Sequence, residues 1–285
     1  MQDIQRKLSL LLDKEVEQID LLSMGQIGGI YRVKIQADLY ILKESKDSDK
    51  LLIEAKMLQD LKEAHLRVPE VFASTQEYLL MEYIIESTKQ SAYANETAAA
   101  EQLSTLHKQT NDGRMYGYYY DTTIGPFTQH NEQTQYNWTL FLGQMRIMPM
   151  ARLCYDIGEI SKQTLERLEG LCRDLYKRID MSLITPSLLH GDVWGGNVLF
   201  DKQGACFIDP AIYYGDKEME LAFILLFNTF GETFFDAYQE VHPLSEDFYE
   251  TKVPLYQIYP LLVHVALYGS SYTDKLEQVL KRLKV

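Results

Sequence analysis

Cysteine is scarce in this chain: Cys154, Cys172 and Cys206 are odd in number and lack metal-ligand spacing. That argues against a disulfide framework or a zinc site and predicts reduced thiols packed in a core. No run of 18 apolar residues occurs, so no membrane-spanning helix is expected. The opening residues, 1–6, lack the apolar core of a signal peptide, which predicts a cytoplasmic protein. Basic residues are also in short supply, 28 Lys and Arg against 41 Asp and Glu, for a formal charge of -13. Nucleic acid is a poor partner for such a chain, because displacing counterions needs concentrated Lys and Arg. The acidic balance suits a cationic acceptor, or plain solubility. There is no internal repeat, no low-complexity linker and no Walker P-loop.

What is present is a chain of 285 residues, 46% hydrophobic, long enough for one large domain or two lobes. Its most informative stretch is His190-Gly191-Asp192-Val193-Trp194-Gly195-Gly196-Asn197, followed by Ile208-Asp209-Pro210. An acid five residues before an amide, with a second acid one hairpin later, matches the needs of phosphoryl transfer. That chemistry asks a protein for positioning and charge neutralisation rather than covalent work. Asp192 fits the group facing an acceptor hydroxyl. Asn197 and Asp209 fit magnesium ligands, since that ion prefers hard oxygen donors and keeps waters and phosphates. Residues 198–200 and 205–208 are short apolar runs around the turn Asp201-Lys202-Gln203-Gly204, which predicts a hairpin between the two metal-side residues. Taken singly, each of the three is equally at home in turns and caps.

Upstream, residues 2–12 carry Ile4, Leu8, Leu11 and Leu12 on one helical face, and a strand region follows. Gly25, Gly28 and Gly29 precede an alternating strand, so a hairpin there can approach phosphates closely, or be an ordinary turn. Residues 39–43 read as a strand ending in Lys43. Residues 50–63 read as a helix carrying Glu54, with Leu51, Leu52, Ala55, Leu58 and Leu61 inward. A strand lysine held by a helix glutamate is the phosphate-contacting pair of protein kinases. Residues 68–73 and 78–84 complete a small antiparallel sheet, and the second runs into a linker. There the backbone carbonyl of Glu82 and amide of Ile84 are placed to bind adenine, with Met81 behind.

Beyond the linker the pattern turns helical: residues 91–109, 134–150 and 159–179, the last with Leu168, Leu171, Cys172, Leu175 and Ile179 on one face. His107 reads as packing or capping rather than catalysis. Residues 116–130 show no period and read as a packed loop, and residues 216–285 read as mostly helical. The expectation is an α+β, bilobal protein-kinase-like fold. Residues 1–84 form a nucleotide lobe, and residues 85–285 a helical lobe with the catalytic loop and acceptor site.

The string from His190 to Asn197, with Ile208-Asp209-Pro210-Ala211-Ile212-Tyr213-Tyr214-Gly215-Asp216 and onward to Ala222, closely resembles the fructosamine kinase (ketosamine 3-kinase) family. That family lies within the protein-kinase-like, aminoglycoside phosphotransferase superfamily. The likeness extends to residues 103–107, Tyr116-Gly117-Tyr118, Trp138, Arg146 and 255–272, nearly the whole chain. The histidine-glycine-aspartate triplet is shared across the superfamily. Trp194 and the Asp209 to Asp216 string narrow the match. Where the family more often has leucine and serine, this chain has Val193 and Gly196, and near Met150 the family often has glutamine.

The resemblance implies ATP- and Mg2+-dependent phosphorylation of the C3 hydroxyl of a ketosamine, free or on a protein lysine, in a deglycation repair role. Asp192 would take or orient the hydroxyl proton, Lys43 would hold phosphate, and Asn197 and Asp209 would hold magnesium. Trp194 would pack on the sugar ring or serve as a core anchor. Asp216 and Glu220 would brace the loop. Two alternatives remain at this level: a kinase for another amine-bearing acceptor, such as an aminoglycoside or choline-like compound, and a nucleotide-binding module without catalysis.

Overall fold

The computed structural model describes residues 2–25, 28–46, 49–87, 90–111, 113–131 and 136–285. Helix α1 (Gln2–Leu12) leads into strands β1 (Gln18–Met24), β2 (Gly29–Ile35) and β3 (Asp38–Glu44), then helix α2 (Lys50–Glu63) and strands β4 (Val71–Ser74) and β5 (Tyr78–Glu82). These five strands make one antiparallel sheet in the order β1-β2-β3-β5-β4. Alternation decides what each face meets. Tyr31, Val33, Ile35, Leu42, Tyr78 and Leu80 pack with Ile4 and Leu8 of α1 in a small separate core. Leu79 and Met81, on the opposite face, join α2 and the main core of the chain.

The helix over residues 50–63 forms where its periodicity places it, with one change of face. Met57 is buried and Leu52 is 37% exposed, because Leu52 falls on the far side from the stripe of Leu51, Glu54, Ala55, Leu58 and Leu61. The strand expected from residue 68 begins only at Val71, and the one expected to reach residue 84 ends at Glu82.

The C-terminal region is mainly helical. It runs through α3 (Ala92–Leu106), the hairpin β6 (Thr122–Ile124) and β7 (Phe127–Gln129), α4 (Trp138–Phe141), a π-helical turn (Leu142–Ile147), α5 (Met148–Asp156) and α6 (Lys162–Asp174). Then come β8 (Ser187–Leu189), β9 (Val198–Asp201), β10 (Gly204–Phe207) and β11 (Tyr213–Gly215). Helices α7 (Lys217–Leu226), α8 (Glu232–Gln239), α9 (Val253–Tyr256), α10 (Ile258–Tyr268) and α11 (Ser270–Arg282) complete it. Side-chain caps set four of these starts: Ser91 accepts from the Ala94 amide at 3.2 Å, and Asn137, Ser161 and Asp216 accept from the Leu140, Thr164 and Glu218 amides, each at 3.1 Å.

Three expectations need correction here, and one strand pair was not foreseen. Residues 116–130 are not only a loop: Gly125-Pro126 turns the β6–β7 hairpin within them. The helix expected over 134–150 starts at Trp138, passes through the π-helical turn and continues to Asp156, while residues 134 and 135 lie outside the described residues. The helix expected over 159–179 ends at Asp174 and tightens into a 3-10 turn at Leu175–Lys177. Strands β8 and β11 pair with each other on either side of the motif. At three residues each they are too short to leave an alternating pattern. The three cysteines are free, and among the described residues no helix is long and apolar enough to cross a membrane.

Candidate active site

The loop carrying Asp192 is hung on one buried carboxylate. Strand β8 delivers His190, and the amides of His190 and Gly191 donate to Glu220, at 3.2 and 2.5 Å, from the first turn of α7. His107, buried at the end of α3, contacts the same carboxylate through Nε2 at 2.9 Å and Tyr238 through Nδ1 at 2.6 Å. Burial works against the charge of Glu220, but chiefly the His107 bond, together with the Gly191 amide, outweighs it and holds the carboxyl below its ordinary value. Burial lowers the pKa of His190. Its neutral Nδ1 accepts from the Asp192 amide at 3.3 Å.

Gly191 has no substitute at this bend. Its φ is +86°, and an added Cβ would sit 2.1 Å from the carbonyl oxygen of Ala211, whose own amide donates to the His190 carbonyl at 2.8 Å. Gly191→Ala is therefore expected to cost about 3 kcal/mol and at least tenfold in turnover, the strain of a left-handed bend adding to backbone overlap. Thermal melting with steady-state kinetics checks this, and an unaltered enzyme would contradict the loop geometry.

Asn197 closes the loop. Its Nδ2 donates to the backbone carbonyl and to Oδ2 of Asp192, both at 2.9 Å, so its Oδ1 is free of that contact. Its amide donates to the Trp194 carbonyl at 2.8 Å, and its carbonyl accepts from Ile208 at 2.9 Å, tying the loop to the β9–β10 hairpin. The hairpin is tied in turn to the segment after α2, where Arg67 grips Asp201 through two bonds of 2.7 and 2.6 Å. Asp209 follows the hairpin at φ +54°, a conformation Asp tolerates better than most residues. Burial, reinforced by the charge of Asp209, pushes the Asp192 carboxyl up from 3.8 to about 8 despite the Asn197 bond.

Across the cleft, Lys43 at the end of β3 bonds Glu54 of α2 at 2.5 Å and also bonds Asp209. It thereby joins sheet, helix and Asp209. Burial opposes the Lys43 charge, but Asp209 and Glu54 together outweigh it and raise its pKa, while Glu54 is raised by burial. The glycine hairpin closes above them: the Gly25 amide donates to Gly28 at 2.8 Å, with Gln26 and Ile27 outside the described residues. A Cβ on Gly28 would meet the Glu44 carbonyl oxygen at 1.8 Å, so that glycine serves the chain's own packing as well as any approach by ligand.

One cleft of about 190 Å3 brings Gly28, Gly29, Lys43, Glu54, Asp192, Trp194, Asn197 and Asp209 together. Glu82 and Ile84 lie outside its lining. The Glu82 amide donates to the Glu70 carbonyl at 2.8 Å, and Ile84 is buried just beyond β5. Trp194 is 43% exposed and forms part of the wall rather than the core, its ring lying against Gly196 where a Cβ would meet it at 2.3 Å.

The remaining wall was not singled out as site from sequence: Thr123, Ile124 and Gly125 of the β6–β7 hairpin, with Val263, His264, Leu267 and Tyr268 of α10. His264 donates through Nδ1 to the Pro260 carbonyl at 2.8 Å among the rings of Phe227, Tyr268 and Tyr272. Burial lowers its pKa, which leaves a neutral ring with Nε2 as acceptor. A histidine inside an otherwise apolar helix was the available signal.

The fructosamine kinase family model matches residues 1–285. The chain belongs to the fructosamine kinase family. A protein named Probable ketoamine kinase from Enterococcus faecium is 34% identical over 264 residues, 90% of this chain and 92% of its own length. Another of that name, from Lactiplantibacillus plantarum, is 29% identical over 272 residues, 93% and 94% of the two chains. A crystal structure assigned as a fructosamine-3-kinase of Thermobifida fusca superposes over all of both chains, at 28% identity and a TM-score of 0.88. An aminoglycoside phosphotransferase in ternary complex with ADP and hygromycin B shares the fold, at 16% identity and a TM-score of 0.67 over 98% of this chain and 96% of that one. The family member described here is thus a phosphotransferase of protein-kinase-like α+β fold, with ATP as phosphoryl donor and a hydroxyl group as acceptor.

Proposed function

We propose that this enzyme phosphorylates the C3 hydroxyl of ketosamines such as ribulosamine and fructosamine, free or carried on a protein lysine, as a cytoplasmic deglycation step. The observation that carries the reading is the convergence of Asp192, Lys43 and Asp209 on one cleft with Trp194 in its wall. In this reading residues 1–84 are the nucleotide lobe and residues 85–285 hold the acceptor. Lys43, positioned by Glu54, grips phosphate beneath the Gly28 and Gly29 hairpin, and the backbone of Glu82 and Ile84 receives adenine.

Magnesium fits the donor set. Asn197 Oδ1 and the Asp209 carboxylate are hard oxygens. Asn197 Nδ2 is taken up by Asp192, so Oδ1 is the donor that side chain would offer, and two protein oxygens would leave the remaining positions to phosphate and water, as that ion prefers. Bound there, the ion would neutralise charge on the transferring phosphoryl group. Asp192 orients the acceptor hydroxyl and, in its ionised form, takes its proton, while Trp194 packs on the sugar ring. A phosphate at C3 is a far better leaving group than hydroxide and lies beside the carbonyl carbon, so elimination can follow and free the amine.

A coupled ATP-consumption assay with ribulosamine, fructosamine, aminoglycoside and choline acceptors tests the assignment. Turnover is expected with the ketosamines and at least tenfold less with the others. Transfer only to an aminoglycoside or choline would replace the substrate class and leave the phosphotransferase standing.

A further inference from the structure

Helix α2 is fastened along its length to the segment around the β6–β7 hairpin. Lys50 donates to the Pro126 carbonyl at 2.8 Å, and the Lys56 ammonium lies 3.6 Å from the centre of the Tyr120 ring. One oxygen of Asp60 accepts from both the Tyr118 and Tyr120 hydroxyls, at 3.0 and 2.7 Å. That segment is itself anchored at both ends to the stretch following Asp209. Gly117 and Tyr214 exchange amide bonds of 3.0 and 2.7 Å, and Gln129 Nε2 donates to the Ala211 carbonyl at 3.1 Å. A continuous set of bonds therefore runs from the aspartate side of the cleft, through the hairpin, to the helix that presents Glu54 to Lys43.

We propose that Asp60, with Tyr118 and Tyr120, is a positioning group for the reaction: it keeps α2 in register so that Glu54 holds Lys43 opposite Asp209. Asp60 does not itself line the cleft. It acts through the helix, a rigid element on which Glu54 and Asp60 lie less than two turns apart. Both phenol protons end on its carboxylate, and desolvation and that carboxylate together raise both tyrosines above their ordinary pKa. The hydroxyls therefore remain donors throughout the working pH range. The proposal rests on the assignment of Lys43 and Glu54 to the nucleotide phosphates.

A double-mutant cycle tests it. Asp60→Ala should lower kcat/KM for ATP about fivefold, leave KM for the acceptor unchanged, and cost less than about twofold more when Glu54→Ala is already present, because the two act through one contact. Asp60→Asn, which keeps an acceptor oxygen for the two hydroxyls, should recover most of the loss. The pair Tyr118→Phe with Tyr120→Phe, which preserves the rings, should reproduce Asp60→Ala and carries the test if that variant folds poorly. An equal fold-loss from Asp60→Ala in both backgrounds, or none in a folded protein, would overturn the proposal. If instead Glu54→Ala alone were silent, the phosphate assignment would fall with it.

Discussion

Asp192→Asn is expected to lower turnover by about 10³-fold while leaving nucleotide affinity within about twofold. The substitution removes the proton acceptor, a contribution on the order of 10²–10⁴-fold, and keeps a side chain that accepts the Asn197 Nδ2 bond of 2.9 Å. It leaves Lys43 and Glu54 untouched. The same change should stabilise the ligand-free protein. The folded-state pKa of Asp192, about 8, lies above its ordinary value of 3.8, so between those pH values the folded protein binds the proton more tightly than the unfolded chain. Stability contributed by the protonated carboxyl is complete at low pH and is lost as pH rises toward 8. Asn cannot ionise. Thermal melts of the ligand-free protein should show Asp192→Asn more stable than the parent at pH 8 and little different at pH 4. Near-normal turnover would remove Asp192 from the reaction, and parallel pH–stability curves would mean that its carboxyl is not held in protonated form.

Lys43→Met should reduce kcat/KM for ATP by about 100-fold, the scale of deleting one donor from a preorganised charge-stabilising site. Glu54→Ala should reduce it by about tenfold, the scale of losing a group that only orients another. The order follows from position. Lys43 bonds both Glu54 and Asp209 and bridges the sheet to the loop region, whereas Glu54 lines the cleft beside it and bonds Lys43. Removing the lysine also leaves two carboxylates without their shared cation, so Lys43→Met should melt earlier than Glu54→Ala. Steady-state kinetics with ATP as the varied substrate reads the first effect and thermal melting the second. Folded variants with parental rates would contradict the placement of nucleotide phosphates against β3 and α2.

The parts of this cleft legible in sequence are those built by local chain geometry. Asp192, Asn197 and Asp209 sit on one loop and one hairpin, so their spacing alone brings them together. Lys43 and Glu54 lie on a strand and a helix whose periodicities are clear, and their order relative to the loop suggested the pairing found at 2.5 Å. Glu220 was recognisable only as a brace. That it receives the His190 and Gly191 amides and bonds His107 depends on packing across segments about 30 and 113 residues apart in sequence. The far wall was least legible. Thr123 to Gly125 come from a hairpin whose three-residue strands are too short to alternate visibly, and His264 to Tyr268 from a helix whose apolar pattern reads as core. Gly28 teaches a related lesson. Its glycine requirement looked like room for phosphate, yet the Glu44 carbonyl already claims that space.

The most direct test of the account is to locate the phosphate. Ribulosamine or fructosamine is incubated with enzyme, ATP and magnesium, and the product is examined by coupled phosphorus and proton NMR before and after decomposition. The account predicts one phosphate, on the C3 oxygen, disappearing as inorganic phosphate while free amine is released, and about 10³-fold slower product formation with Asp192→Asn. Phosphate on another hydroxyl, or no phosphorylated ketosamine at all alongside active transfer to a different acceptor, would contradict it.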